Sequence, residues 1–217
     1  DQALINRLGF NNDGSEIISK RIADNQPNGF LGINIGPNKE TKNKEEDYYK
    51  CLSMLSRYAG YITINISSPN TEGLRNFHAE KEMSKLLVGL NKIKKKNNIN
   101  QPIAIKISPD INYEKISMII ELVKKNDIQG IIVSNTTDSN RANLSDTKKN
   151  EVGGLSGQPL KNISTKLIKK FYRETKGKVK IIGVGGIDSG QSAFEKIAAG
   201  ANAVQLYTGM VYKGPGI

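Results

Sequence analysis

The alternation of short apolar segments with stretches of helical periodicity is the feature that most restricts the fold of this 217-residue chain. Apolar segments lie at residues 31–36, 61–67, 103–108, 130–135, 181–186 and 203–208. The repeated order of strand, helix and strand predicts a parallel sheet with right-handed crossovers. The helical stripes comprise Tyr48, Leu52, Leu55 and Ala59; Met83, Leu86, Leu87, Leu90 and Ile93; Ile116, Ile119, Ile120 and Val123; Leu167, Ile168 and Phe171; and Phe194 and Ile197.

Polar side chains interrupt four of the apolar segments near their carboxyl ends. Asn34, Asn65, Lys106 and Asn135 each lie within the last three residues of a segment. Because a parallel strand buried on both faces is apolar nearly throughout, these residues predict one polar layer at the top of a barrel, where catalytic groups lie. The expected fold is an α/β TIM (β/α)8 barrel with about six of its eight strands in this chain. We expect residues 1–217 to be one barrel domain, truncated at both ends.

The segment 61–71 joins a strand to a polar turn. Apolar and polar residues alternate up to position 67, and Pro69, which lacks an N–H group, ends the strand. Asn65, Ser68, Asn70 and Thr71 therefore come together at the carboxyl end of the strand, where α/β folds build their sites. Four uncharged hydrogen-bonding side chains favour a polar planar ligand over a metal ion.

Glycines near the carboxyl end of the chain predict a phosphate site. Gly183, Gly185 and Gly186 end one strand, and residues 189–191 can open the helix that follows. Glycine lets backbone N–H groups approach a phosphate, and a helix N-terminus favours an anion. The next strand ends in Tyr207 and Thr208, and loops after the last two strands commonly hold phosphate in barrels.

Three other parts of the chain are predicted from local composition. Residues 1–14, rich in Asn and Gly, are expected to form a loop, and residues 15–24 a short helix. The connection 136–160 is unusually long for a segment between two elements. We expect it to be a mobile lid or a binding loop.

Composition argues against several classes of site. The net charge of +11 lies mainly on lysines of helix-like stretches without interleaved aromatic residues, which indicates a solvated face rather than a nucleic-acid site. One cysteine and one histidine build neither an internal disulfide nor a zinc site. We expect Cys51 to be a small core residue and His78 to lie at the surface. The sequence contains no apolar run of about 18 residues, so none is expected to span a membrane.

Six motifs together resemble class 2 dihydroorotate dehydrogenase, the FMN-dependent, quinone-linked family. They are NRLGFNNDG at 6–14, NISSPNT at 65–71, KISPD at 106–110, SNTT at 134–137, GGLSG at 153–157, and GVGG at 183–186 with Tyr207 and Thr208. They follow the order of the family over essentially the whole chain. The resemblance implies oxidation of dihydroorotate to orotate in de novo pyrimidine biosynthesis, with electrons passed to quinone. It also implies that the parent protein is a peripheral membrane protein, on the inner membrane facing the cytoplasm or the organellar equivalent, through segments absent here, whereas this piece is soluble.

The resemblance assigns three catalytic positions. Ser68 matches the general base that removes a proton from C5 of the substrate while hydride leaves C6 for the flavin. Class 1 enzymes carry cysteine at this position. A serine needs a proton acceptor behind it to act as a base at neutral pH. Thr71 and Phe10 match positions that order and shield a water-linked relay.

The resemblance also implies two sets of ligand-binding residues and no metal ligand. Amides that both donate and accept hydrogen bonds suit the imide edges of a pyrimidine, and a cation such as Lys106 stabilises negative charge on a reduced flavin. The substrate set is Asn6, Arg7, Leu8, Gly9, Phe10, Asn65, Asn70, Asn135 and Thr136. The FMN set is Asn34, Asn65, Lys106, Ser134, Gly157, Gly186, Tyr207 and Thr208.

Two alternative functions stay open at this point. One is another flavin barrel that acts on pyrimidines, similar to a dihydrouridine synthase working on tRNA, which would use the positive charge. Ser68 argues against it, because that family relies on a cysteine acid. The other is a catalytically inactive fragment. The partners expected from the resemblance are dihydroorotate or orotate, quinone and a membrane surface, and not nucleic acid. The oligomeric state stays open, although exposed strand edges would favour association.

Overall fold

Six parallel strands form a curled sheet in the computed structural model, which describes residues 1–139 and 141–217. Their order in the sheet is β2-β3-β4-β5-β7-β8, a partial TIM barrel. All six apolar segments predicted as strands are therefore confirmed. The strands are β2 (Gly32–Ile35), β3 (Tyr61–Asn65), β4 (Ile103–Ile107), β5 (Gly130–Val133), β7 (Lys180–Val184) and β8 (Ala203–Gln205).

The register of the sheet places a row of isoleucines on one face and the polar pair Asn65 and Lys106 on the other. Ile64, Ile105, Ile131 and Ile181 are successive partners across β3, β4, β5 and β7, and all four are fully buried. Because side chains alternate between the faces of a strand, the next residue in each strand lies on the opposite face. This alternation sends a row beginning with Asn65 and its partner Lys106 to the interior of the partial barrel.

In residues 1–139 and 141–217, seven α-helices accompany the sheet, and the apolar stripes of four of them, the second to the fifth along the chain, cover its outer face. Leu86, Leu90, Ile119 and Phe171 are fully buried in a single core with the strand isoleucines. Burying such a side chain contributes about 1.5–3 kcal/mol of favourable transfer free energy. The helices are α1 (Ser15–Asp24), α2 (Lys44–Leu55), α3 (Glu80–Lys96), α4 (Lys115–Lys125), α5 (Lys161–Thr175), α6 (Gly190–Ala198) and α7 (Thr208–Lys213).

The prediction that α6 turns its apolar stripe toward the core is wrong. Phe194 is 65% exposed and Ile197 is 44% exposed. The buried face of this helix carries Ser192 and Lys196 instead, because their hydrogen bonds, rather than apolar contacts, orient the helix. Its predicted start is confirmed, since the Ser189 side chain accepts the backbone N–H of Ser192 in a capping box.

The prediction that residues 1–14 form only a loop is also wrong, because β1 (Ala3–Asn6) pairs with β6 (Gly154–Gly157) in an antiparallel ribbon. The partner strand comes from within the 136–160 connection. Thr137 forms a further bridge with Leu155 beside this pair. The long connection thus contains a strand. Its proposed mobility stays a prediction.

Candidate active site

A cavity of about 470 Å³ lies between the β1–β6 ribbon and the carboxyl ends of β4, β5, β7 and β8. Apolar and polar groups share its lining, as in a pocket for an organic ligand. From the two predicted ligand sets, the structure places there Asn6, Leu8, Lys106, Ser134, Asn135, Thr136, Gly157, Gly186, Tyr207 and Thr208.

Two amide side chains are held in fixed orientations at the ends of β3 and β5. The Asn135 Nδ2 donates to Asn65 Oδ1 at 3.1 Å and to Ser67 Oγ at 2.9 Å. The Oδ1 of Asn65 also accepts the Ser67 backbone N–H, at 3.3 Å. Asn65 is buried, and within the described part of the chain its side-chain hydrogen bonds all use Oδ1 and none uses the Nδ2 N–H group. That N–H group is therefore available to an acceptor on a ligand.

A third amide connects the Ser68 loop to the ribbon. The Asn70 Nδ2 donates to the backbone oxygen of Asn6 at 3.0 Å and to its Oδ1 at 3.3 Å. The Nδ2 of Asn6 donates in turn to the Gly154 backbone oxygen at 3.4 Å. These hydrogen bonds join the ribbon to the turn after β3, and both contribute amides to the same region.

Ser68 is 8% exposed, and its Oγ accepts the Asn70 backbone N–H at 3.2 Å. This bond stabilises the turn and leaves the hydroxyl hydrogen free. Among residues 1–139 and 141–217 no carboxylate or imidazole forms a hydrogen bond with the Ser68 hydroxyl. Thr71, three residues after Ser68 in the same turn, is also buried. Proton removal by Ser68 would therefore need a relay rather than an adjacent base.

The glycine turn after β7 has room for backbone only. Gly185 and Gly186 have φ angles of 111° and 71°, a region that L side chains rarely adopt. A Cβ on Gly186 would lie 2.5 Å from both the backbone N and the Cα of Lys161, the first residue of α5. Gly185, Gly186 and Leu160, the residue before α5, all line the cavity, and a glycine turn beside a helix start is an arrangement that can bind phosphate.

Lys106 supplies a cation on the inner face of β4. Desolvation lowers its pKa from the ordinary value, because the side chain sits inside the partial barrel. Within the described residues its ammonium forms neither an ion pair nor a hydrogen bond with a side chain. A ligand with negative charge at this position would offset the cost of desolvation.

Six predicted ligand residues do not line this cavity: Asn65 and Asn70, described above, and Arg7, Gly9, Phe10 and Asn34. Asn34 is exposed on the edge strand β2 and aligns with Thr63, two residues before Asn65, so the predicted polar layer is not level. Asn34 lines a second cavity with Gly9 and Phe10, whose ring packs against Gly36. Arg7 lies on the outer side of the ribbon, where it pairs with Glu151 at 3.1 Å.

A network of charges behind the Ser68 loop was missed at the sequence level. Arg75 donates to both carboxylate oxygens of Asp138 and to Asp110, each at 3.0 Å, and Asp110 also accepts the Thr137 hydroxyl. These residues follow β3, β4 and β5, so the network joins three loops. Asp110 and Thr137 lie in conspicuous motifs, but nothing local indicates that Arg75 connects them.

His78 contradicts its predicted surface position, because it is only 6% exposed. Its Nδ1 lies 3.2 Å from the Arg75 backbone oxygen, and its Nε2 lies 3.5 Å from the Ser108 backbone nitrogen. This pattern fits a neutral ring with the hydrogen on Nδ1. Burial lowers its pKa from 6.5 to about 4. Cys51 is half-buried on α2 and packs against the core.

Neither a metal centre nor a membrane span emerges from residues 1–139 and 141–217. No group of three or more His, Cys, Asp and Glu side chains in these residues could hold a metal ion. None of the helices described there has the length and apolar character needed to cross a bilayer.

Comparison with protein families and known structures gives one consistent result. The family model described as dihydroorotate dehydrogenase matches residues 1–217. A dihydroorotate dehydrogenase (quinone) from Idiomarina loihiensis is 43% identical over 223 residues, which cover 100% of this chain and 66% of the relative. One from Bartonella henselae is 44% identical over 219 residues, covering 99% of this chain and 60% of the relative.

Solved structures agree with this result at the level of the fold. The crystal structure of ligand-free DHODH from Eimeria tenella has a TM-score of 0.93 and 36% identity, and the match covers 99% of this chain and 66% of that chain. DHODH from the same organism in complex with ferulenol has a TM-score of 0.93 and 34% identity, covering 99% and 64%. The chain thus spans less than two thirds of the length of these relatives.

Proposed function

The chain belongs to the dihydroorotate dehydrogenase family, and we propose that residues 1–217 form the FMN-binding barrel domain of an enzyme that oxidises dihydroorotate to orotate. The observation that carries this proposal is one cavity in which oriented amides, a partly buried cation and a glycine turn meet. An amide-rich end suits a pyrimidine, and a glycine-rich end suits a phosphate.

The donor set of the cavity fits FMN. The turn at Gly185 and Gly186 would hold the phosphate through backbone N–H groups. Thr208, which follows the neighbouring strand β8, lines the same cavity, and its hydroxyl donates to Ser156 at 2.9 Å. Lys106 would lie against the part of the flavin that gains negative charge on reduction. FMN supplies the hydride acceptor of the reaction when bound.

Three residues that line the same cavity, Asn6, Asn135 and Thr136, offer groups that can donate to or accept from a pyrimidine. Asn135 is fixed by its bonds to Asn65 and Ser67. Asn6 is fixed by the two hydrogen bonds that it accepts from Asn70. Because the protein fixes these amides before the ligand arrives, little side-chain entropy is lost on binding.

Ser68 would remove the proton from C5 of dihydroorotate. Its hydroxyl hydrogen is free, and its oxygen is held by the turn, so the side chain has a defined direction. Thr71 would pass the proton toward solvent, and Phe10 would limit the access of water to this relay. The roles of these three residues stay part of the proposal.

Electron transfer to quinone is proposed from the name of the relatives. The relatives from Idiomarina loihiensis and Bartonella henselae are both named as quinone-linked enzymes. By analogy we place the parent protein in de novo pyrimidine biosynthesis and at a membrane surface. The family match also favours this reading over a flavin barrel that acts on tRNA.

The proposal is tested by mixing the FMN-loaded protein with dihydroorotate under anaerobic conditions. Stopped-flow absorbance measures the rate at which the bound flavin is reduced. Ser68→Ala should slow reduction by about 10²–10⁴-fold, the usual contribution of a general base, while FMN affinity stays unchanged. Ser108→Ala is the matched control, because the Ser108 hydroxyl makes the same turn bond, to the Asp110 N–H at 3.1 Å. If the two variants slow flavin reduction equally, Ser68 acts only by stabilising the turn and not as a base. A wild-type chain that binds FMN without being reduced would support the inactive alternative.

A further inference from the structure

A lysine with no counter-charge is buried behind the glycine turn. Lys196 on α6 is 0% exposed, and its Nζ donates to Lys161 O at 2.7 Å, Ser164 Oγ at 2.5 Å and Thr165 Oγ1 at 2.6 Å. All three partners are neutral oxygens. The adjacent Glu195 is engaged elsewhere, since its carboxylate pairs with the Lys161 ammonium at 3.1 Å.

The Lys196 ammonium is connected to the turn by one hydroxyl group. Ser164 Oγ, which accepts from Lys196, donates to the Gly185 backbone oxygen at 3.0 Å. A Cβ on Gly183 would lie 3.1 Å from the Lys196 Cβ, so β7 and α6 are in direct contact. The cation therefore lies on the far side of the backbone that faces the cavity.

A buried ammonium surrounded only by neutral oxygens is costly for the protein. Desolvation lowers the pKa of Lys196 from 10.5 to about 8, and the two charged neighbours, Glu195 and Lys161, act in opposite directions. A buried charge is normally paired with an opposite charge. Within the described residues the missing charge is not supplied by the protein. An anion on the cavity side of the turn would supply it through a medium of low dielectric constant.

We propose that Lys196 is a positioning residue for a phosphate monoester dianion bound at the Gly185–Gly186 turn. It holds the turn in place through Ser164 and favours a doubly charged phosphate over a neutral group of the same size. The inference rests on the proposed FMN site. According to this inference, the selectivity for the phosphorylated form of the flavin depends on Lys196, a residue that does not line the cavity.

The test compares the affinities of the protein for FMN and for riboflavin, which lacks the phosphate, by quenching of flavin fluorescence. Lys196→Met should weaken FMN binding by about tenfold or more, as expected for loss of one charge at an effective dielectric constant of about 20. Riboflavin binding should change much less. Lys169→Met is the control, since it removes an exposed lysine from α5, and both affinities should be retained. Equal weakening of FMN and riboflavin by Lys196→Met would overturn the proposal, as would no weakening of FMN.

Inorganic phosphate provides a second measurement that does not depend on flavin. At matched ionic strength, phosphate should raise the Tm of the wild-type protein more than chloride does, and Lys196→Met should lose this difference. If the wild-type protein binds no flavin but shows the phosphate effect, the proposed function fails and the role of Lys196 stands. If Lys196→Met retains the effect, or the wild type lacks it, the role of Lys196 is overturned.

A measurement on the wild-type chain covers the case in which Lys196→Met does not fold. Phosphate should raise the pKa of the Lys196 ammonium, because a bound dianion favours the charged form. NMR of the Lys196 Cε and Nζ atoms measures this pKa. A pKa that stays the same as phosphate is added would overturn the proposal.

Discussion

Lowering the pH from 7 to 5 should destabilise this protein through its one histidine. His78 is buried between the backbone of the turn after β3 and the start of the loop after β4. Its pKa falls from 6.5 to about 4 in the folded state, chiefly because burial disfavours the charged ring, with a further contribution from the positive charges of Arg75 and Lys115. The hydrogen bond to the Arg75 backbone acts in the opposite direction.

The sign and the size of the effect follow from linkage. The unfolded chain binds a proton at His78 below pH 6.5, whereas the folded chain resists it down to about pH 4. Stability from the neutral ring is therefore fully present above pH 6.5 and is lost as the pH falls toward 4. With one pKa unit equivalent to about 1.4 kcal/mol, the loss between pH 7 and pH 5 is about 2 kcal/mol, and the full loss is about 3 kcal/mol.

Urea unfolding of the wild type and of His78→Gln at both pH values measures this effect. Glutamine can donate and accept as the neutral ring does but does not titrate. The comparison removes the contribution of the carboxylates, which is common to both proteins. We expect the wild type to lose about 2 kcal/mol more than the variant between pH 7 and 5. Equal losses, or an NMR titration of the single imidazole near pH 6.5 in the folded protein, would refute the reasoning.

Three further substitutions test the surroundings of the cavity. Gly186→Ala should lower the free energy of unfolding by about 2–5 kcal/mol, because the added carbon meets a left-handed φ and a backbone clash. Gly190→Ala is the control: no atom lies within 4 Å of its added carbon, so its stability should stay within about 1 kcal/mol of wild type. Equal urea midpoints for the two variants would contradict this prediction. Arg75→Met should lower the free energy of unfolding by about 1–3 kcal/mol in the same assay, because it leaves two carboxylates unpaired. A decrease below about 0.5 kcal/mol would show that the network contributes only as much as a surface ion pair. Asn135→Leu should raise the Kd for orotate by about tenfold or more in calorimetry, because it removes one amide and releases a second; unchanged affinity would place the pyrimidine elsewhere.

The strands and most helices could be predicted because they depend on local pattern. Each strand of the six-stranded sheet lies in a short apolar segment next to a turn, and each long helix carries a continuous apolar stripe. The exception was α6, whose buried face carries Ser192 and Lys196. Hydrophobic periodicity identifies a core-facing side only when the contacts there are apolar.

The remaining errors involve partners that are distant in sequence. The strand Ala3–Asn6 exists because it pairs with Gly154–Gly157, about 150 residues away, and its local composition resembles a loop. Asn34 and Asn65 occupy similar places in their segments, but the level of each is set by strand register, which depends on the neighbouring strand. His78 is buried by loops that follow two different strands, which no local pattern reveals.

The roles of the site residues were predicted from motifs, and the structure supplies their positions. Six residues of the predicted FMN set and four of the substrate set meet in one cavity. Asn34 and Arg7 lie apart from it. Motif order thus indicates which residues serve one site, whereas the distance between them depends on how the sheet curves.

The measurement that tests the central claim most directly is the visible absorbance of the purified protein incubated with FMN, freed of unbound flavin, and then mixed anaerobically with dihydroorotate. The account predicts retained flavin at about one per chain, and bleaching of its absorbance when dihydroorotate is added. A protein that retains no flavin would contradict the assignment of the cavity as an FMN site in this chain. A protein that retains flavin but does not bleach would contradict the assignment of the amide cluster to dihydroorotate.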